Sequence, residues 1–151
     1  MRDRIRPPAD LEKVLDLLKE KGVFETKQKG LMFAASLGYA LNSTRPGGLD
    51  MGKTGEGIRL QYFQKPRDEG FIDALAVAST GKLEVLTAER GNERLDIFER
   101  YAHSGLEELQ RRLDTGKGDE LEIVCGIIAE LGGLGSGQET DDKVKRLGGL
   151  V

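Results

Sequence analysis

The chain has no tryptophan, one cysteine, one histidine and only eight aromatic residues, three Tyr and five Phe, among its 151 positions. Each shortage excludes something. A lone Cys125 rules out an internal disulfide and suits a reducing compartment. His103 and Cys125 lie far apart in sequence, so none of the usual zinc spacings can be written. With few large rings to bury, the core has to be built from Leu, Ile, Val and Ala. No apolar run approaches the ~20 residues needed to cross a bilayer. The opening Met1-Arg-Asp-Arg-Ile-Arg-Pro-Pro8 lacks the apolar stretch of a secretion signal. These absences lead to the expectation of a cytoplasmic protein without membrane contact.

What is present is charge and glycine. Charged residues make up 32% of the chain and the hydrophobic set 38%, a balance that suits one small helical domain with a solvated outer face. The net charge of −3 hides an asymmetry: residues 1–67 hold 13 Lys/Arg against 8 Asp/Glu, and the remainder 10 against 18. A basic first half can face phosphate or the acidic half of another molecule, and mere scatter of charge is the plain alternative.

Apolar periodicity predicts an all-α fold, a bundle of about six helices with one short extended segment near 58–64. Residues 1–8 read as a basic arm that Pro7-Pro8 keeps extended. Asp10 is placed to cap a helix carrying Leu11, Val14, Leu15 and Leu18 inward, and Gly22 to stop it. Thr26 is placed to cap a second helix, about 27–41, which is apolar nearly all round and so belongs at the centre of the core. Its need for cover on many sides also suggests a homo-oligomer. Residues 42–57 form a Gly-rich loop, and Ile58 to Gln64 alternates like a strand that needs a partner. Asp68 to Ser79 reads as a helix broken by Gly81. A short piece follows at 83–89, then a helix at about 91–103 continuing to Leu113 with a break or bend at Gly105. Asp119 opens a last helix carrying Leu121, Ile123, Val124, Ile127, Ile128 and Leu131. Cys125, set among these, reads as a buried inert thiol. The domain organisation is therefore an arm at 1–8, one helical domain at 9–131 and a flexible Gly-rich tail at 132–151.

One motif invites over-reading. Residues 47–54, from Gly47 to Gly52-Lys53-Thr54, match the phosphate-binding pattern G-x-x-x-x-G-K-[ST] at every fixed position. That chemistry needs a buried strand before the loop and a helix after it. Here Asn42-Ser-Thr-Arg-Pro46 precedes and Gly55-Glu-Gly57 follows, so the match reads as coincidence, with a weak anion site at Lys53 as the residual alternative. His103 beside Ser104 does not make a catalytic pair, because helix neighbours do not face each other. It reads as a partly exposed helix-end histidine. Glu107 with Arg111 and Glu108 with Arg112 read as solvated helix-face pairs. No catalytic residues, metal ligands or cofactor site emerge.

The nucleic-acid signal is softer but positive. Arg2, Arg4 and Arg6 alternate along the arm, as in arms that track a phosphate backbone. Lys27 and Lys29 open the second helix, where the dipole also favours anions. Arg45, Lys53 and Arg59 extend the set, with Lys65 and Arg67 beyond.

Two segments carry a family resemblance. One is Gly22 to Tyr39, with Phe24 and Leu31-Met-Phe-Ala-Ala-Ser-Leu-Gly-Tyr39. The other runs from Phe71 to Leu113, with Ile72-Asp-Ala-Leu-Ala-Val-Ala78, Phe98-Glu-Arg-Tyr-Ala102 and Gly105-Leu-Glu-Glu-Leu109. Together they resemble the dnd system-associated protein 4 family, over roughly Arg4 to Leu131. The resemblance implies a setting beside systems that replace a non-bridging phosphate oxygen of DNA with sulfur, or that restrict DNA lacking the mark. It transfers no residue role. The expected function is a non-enzymatic accessory protein of a DNA phosphorothioation and antiviral defence system. Its expected partners are DNA, other proteins of that system, or both, met through the basic first half. A scaffold that binds protein without touching DNA is one alternative, and nucleotide binding through Gly47–Thr54 is another.

Overall fold

A computed structural model describes residues 2–41, 57–65, 68 and 70–134 of the chain. The architecture is all-α, with five helices among the described residues and one two-stranded antiparallel ribbon. In chain order these are β1 (Arg4–Ile5), α1 (Glu12–Glu20), α2 (Lys27–Ala40), β2 (Ile58–Arg59), α3 (Phe71–Thr80), α4 (Gly91–Thr115) and α5 (Glu120–Leu134). Single 3-10 turns at Leu60–Phe63, Leu83–Leu86 and Ala88–Arg90 link them.

Local signals act where the side chain has only its own backbone to satisfy. Gly22, at φ 72°, ends α1 in a Schellman arrangement: its N–H donates to Lys19 O and that of Val23 to Leu18 O. The Thr26 hydroxyl accepts from Lys29 N at 3.2 Å and caps α2. Asp119 caps α5 in the same way through Glu122 N. Gly81, at φ 69°, closes α3. Two expected starts move. Asp10 does not cap α1, because the Pro8 carbonyl accepts from both Leu11 N and Glu12 N and the helix opens one residue later, with Leu11 at the N-cap. α3 begins at Phe71 rather than Asp68, after Gly70 turns the chain at φ 86°.

The core is the crossing of α2 on α4. Leu31, Ala34, Ala35 and Leu37 of α2 are buried against Leu95, Phe98, Ala102, Leu106 and Leu109 of α4. Ala34 meets Gly105 while Gly38 meets Tyr101, so the helices run antiparallel. A Cβ on Gly105 would sit 2.9 Å from Ala34 Cα, and one on Gly38 would sit 2.9 Å from the Tyr101 carbonyl carbon. The two backbones therefore touch. Gly105 is not a break: α4 is continuous through it, which makes five helices of the expected six. The cover that α2 requires comes from α4 and α1 within the same chain.

The expected strand at 58–64 is a strand for two residues only. Its partner is the N-terminal arm, in the register Arg4 with Arg59 and Ile5 with Ile58. The chain then tightens into the 3-10 turn, which changes the period from two to three. Phe63 is driven inward, and Tyr62 is left 46% exposed. Phe63 meets the buried Phe98 edge to face at 5.6 Å, and Phe71 meets it from α3 at 6.0 Å. No described helix is long and apolar enough to cross a membrane.

Candidate nucleic-acid interface

The eight basic residues expected to face phosphate separate into three groups. Arg45 and Lys53, with the whole Gly47–Thr54 match, lie outside the described residues, as does Arg67. Arg2, Lys27 and Lys29 are committed to carboxylates. Arg2 bonds Asp96 at 2.9 Å and Glu99 at 3.2 Å, and its N–H donates to the Asn92 side chain. Lys27 bridges Glu12 and Asp16 at 2.8 and 2.9 Å. Lys29 donates to both oxygens of Asp68, at 2.6 and 2.8 Å.

Arg4, Arg6 and Arg59 come together on the ribbon. Side chains alternate along a strand, so Ile5, fully buried, and Ile58 point inward while Arg4 and Arg59 share the outer face. Gly57, at φ 85°, lies against Ile5 O, with Arg6 Cγ and Arg4 Cβ alongside. A Cβ there would meet the Ile5 carbonyl oxygen at 2.8 Å, so a side chain at this position would push the two strands of the ribbon apart. Arg4 donates to Gly57 O at 3.3 Å, and none of the three arginines forms an ion pair among the described residues. Like charges directly opposite in an antiparallel pair are unfavourable.

The 3-10 turn continues this face. Exposed Gln61, Gln64 and Lys65 follow Arg59, and Lys65 Nζ sits 5.8 Å from the Tyr62 ring centroid. A shallow groove of about 450 Å³ runs between Arg2, Asp3, Arg59, Leu60, Gln61 and Gln64. Leu60 and Gln64 also border a second hollow of about 390 Å³ against Ile72, Asp73, Arg94 and Leu95. Arg94 is occupied there by Asp73 at 2.9 Å and by the carbonyls of Val85 and Thr87. Sequence reasoning missed Tyr62, because strand alternation would have turned it inward. The only sequence cue was Lys65 three residues on, the spacing of one 3-10 turn.

Two buried carboxylates anchor the elements beside this face, and they titrate in opposite senses. Asp68 accepts from Lys29 and from buried Gln28, and these hydrogen bonds, Lys29's first, hold its carboxyl below the ordinary value of 3.8. Its contribution to stability is present above that value and is lost as pH falls through the lower folded one. Glu99 lies under the arm and accepts from Arg6 N at 3.1 Å, and burial pushes its carboxyl above the ordinary 4.5 despite Arg2. Its contribution is fully present below 4.5 and is lost as pH rises through the folded value. Thermal midpoints measured from about pH 3 to about pH 7 check both signs. Asp68→Asn is expected to remove part of the acid-side loss and to cost about 1–3 kcal/mol at neutrality. Glu99→Gln is expected to flatten the loss on the alkaline side.

Other expected features are placed as follows. Cys125 is exposed, because at helical spacing it shares a stripe with Leu121 and Ile128 and turns away from buried Val124 and Ile127. His103 is not at a helix end, since α4 continues to Thr115, and its Nε2 lies 3.2 Å from Glu107. Glu108 bonds Arg112 at 2.9 Å as the spacing implies, and Arg111 also turns to Glu108. Among the described residues no group of three or more His, Cys, Asp or Glu could hold a metal ion.

Comparison with known proteins gives one finding. A family model described as DNA sulphur modification system-associated protein 4 matches residues 4–145. Curated proteins and solved structures give no match.

Proposed function

The chain belongs to the DNA sulphur modification system-associated protein 4 family, and from that premise we propose that it is a non-enzymatic, cytoplasmic accessory protein that binds DNA through the ribbon face. The observation that carries this reading is the placement of Arg4 directly opposite Arg59, with Arg6 beside them and no carboxylate paired to any of the three among the described residues. A phosphate bridging Arg4 and Arg59 relieves their repulsion and uses the bidentate geometry of guanidinium. The Tyr62 hydroxyl and the exposed glutamines offer further hydrogen bonds to the phosphate backbone next to that contact. Other proteins of the sulphur modification system, and a second copy of the chain, are the expected protein partners. Service in restriction and antiviral defence is part of the same proposal.

The contact is electrostatic, so its strength follows salt. Three neutralised phosphates give a slope of about −3 in log affinity against log salt, or about 40-fold weaker binding between roughly 50 and 200 mM. Fluorescence anisotropy of a labelled duplex titrated at those two concentrations tests it. A matched phosphorothioated duplex in the same titration reads whether the mark itself is distinguished. Absence of binding to either duplex at the lower salt would remove the DNA reading and leave protein scaffolding.

A further inference from the structure

Helix α5 is apolar over more of its circumference than the fold covers. Val124 and Ile127 are buried and Ile123 and Leu131 partly so, yet Leu121 and Ile128 remain 54% and 52% exposed. Leu121, Cys125 and Ile128 recur at i, i+4 and i+7 and form one stripe, beside exposed Gly126 and Ala129. The helix is 15 residues long and includes Gly126, Gly132 and Gly133, each worth about 1 kcal/mol less than Ala in a helix interior. At that length an isolated helix is marginal, so packing has to hold it.

Charge selects what covers the stripe. No Lys or Arg occurs from Asp119 to Leu134. Three of the four carboxylates, Asp119, Glu120 and Glu122, stand at the start of the helix. The fourth, Glu130, is neutralised by two bonds from Arg112 at 2.7 and 2.9 Å. The first turn is therefore acidic, and the second half is apolar and charge-compensated.

We propose that α5 packs antiparallel on α5 of a second copy of this chain, about a two-fold axis beside Cys125. This orientation lays Leu121 on Ile128 of the partner subunit. It sets each acidic first turn against a compensated half and opposes the two helix dipoles. A parallel pair would bring the acidic turns together. Small side chains at Cys125, Gly126 and Ala129 let the axes approach closely. The pairing is independent of the ribbon face, and α2, already covered within the chain, takes no part in it.

Sedimentation velocity on the full, reduced chain over a range of concentrations tests the pairing. The expected result is a species of twice the 16.5 kDa chain mass. In Leu121→Glu/Ile128→Glu that species reverts to monomer with unchanged helical content, because both side chains are exposed. Mild diamide oxidation supplies a second readout. Cys125 beside the axis should form a disulfide-linked dimer, at least tenfold more slowly in the double variant and not at all in Cys125→Ser, since a bridge requires Cα atoms within about 7 Å. A monomer at every concentration overturns the proposal, and so does a dimer whose mass survives the double substitution.

Discussion

Gly105→Val is expected to abolish stable folding, and Gly105→Ala to cost about 3 kcal/mol or more in urea denaturation. The reason is that the neighbour a Cβ would meet is backbone. Gly105 faces the peptide of Ala34 across the α2–α4 crossing, and a main chain held in a helix cannot rotate away as a side-chain tip can. The only relief is to separate the helices, which opens voids around Leu31, Phe98 and Leu106 in the buried core. Gly38→Ala, which meets Tyr101 in the reciprocal contact, should act in the same direction. Gly132→Ala provides the opposite sign: it lies in α5, where an added Cβ would meet nothing within 4 Å, so the better helix former should be neutral or slightly stabilising. Equal effects at the two helical sites would mean that the crossing is looser than described.

Phe98→Ala is expected to destabilise by about 3–5 kcal/mol, while Phe98→Leu should cost much less. Phe98 is fully buried and joins three elements through its ring: α4, which carries it, the 3-10 turn through Phe63, and the start of α3 through Phe71. For a chain of this size the alanine loss corresponds to a thermal midpoint lower by roughly 10 °C. The consequence reaches the ribbon face, because Phe63 anchors the turn that presents Tyr62 and leads back to Arg59. Near-equal midpoints for the alanine and leucine variants would show that the ring contacts contribute little.

How much of this could be read from the residues depends on how far each residue's partner lies along the chain. Thr26, Gly22 and Gly81 satisfy or release their own backbones, so their roles were legible, and so were the all-α class and the central position of α2. Gly105 was not. By propensity a glycine in a helix is a weak point, and only the close approach of Ala34, about 70 positions away, makes it a requirement. Tyr62 and Phe63 exchanged faces because the chain left the strand after Arg59, well before the Gln64 that alternation implied. α5 misled for the opposite reason: with apolar residues nearly all round, its sequence did not say which side would be covered, and Cys125 fell on the uncovered one. The basic patch was legible as composition but not as geometry. Lys29 and Arg2 look like Arg4 and Arg59 in sequence. Asp68 and Glu99, which claim the first two, lie 39 and 97 positions from them.

The ribbon face is tested most directly by duplex binding of Arg4→Glu/Arg59→Glu beside Lys13→Glu/Lys19→Glu. The second pair makes the same change in net charge on exposed positions of α1. Anisotropy titrations with one duplex at about 50 mM salt are expected to show the ribbon variant at least 30-fold weaker than the native chain, with the α1 variant within about threefold of it. Equal weakening by both pairs would reduce the contact to net charge alone, and full binding by the ribbon variant would contradict the account.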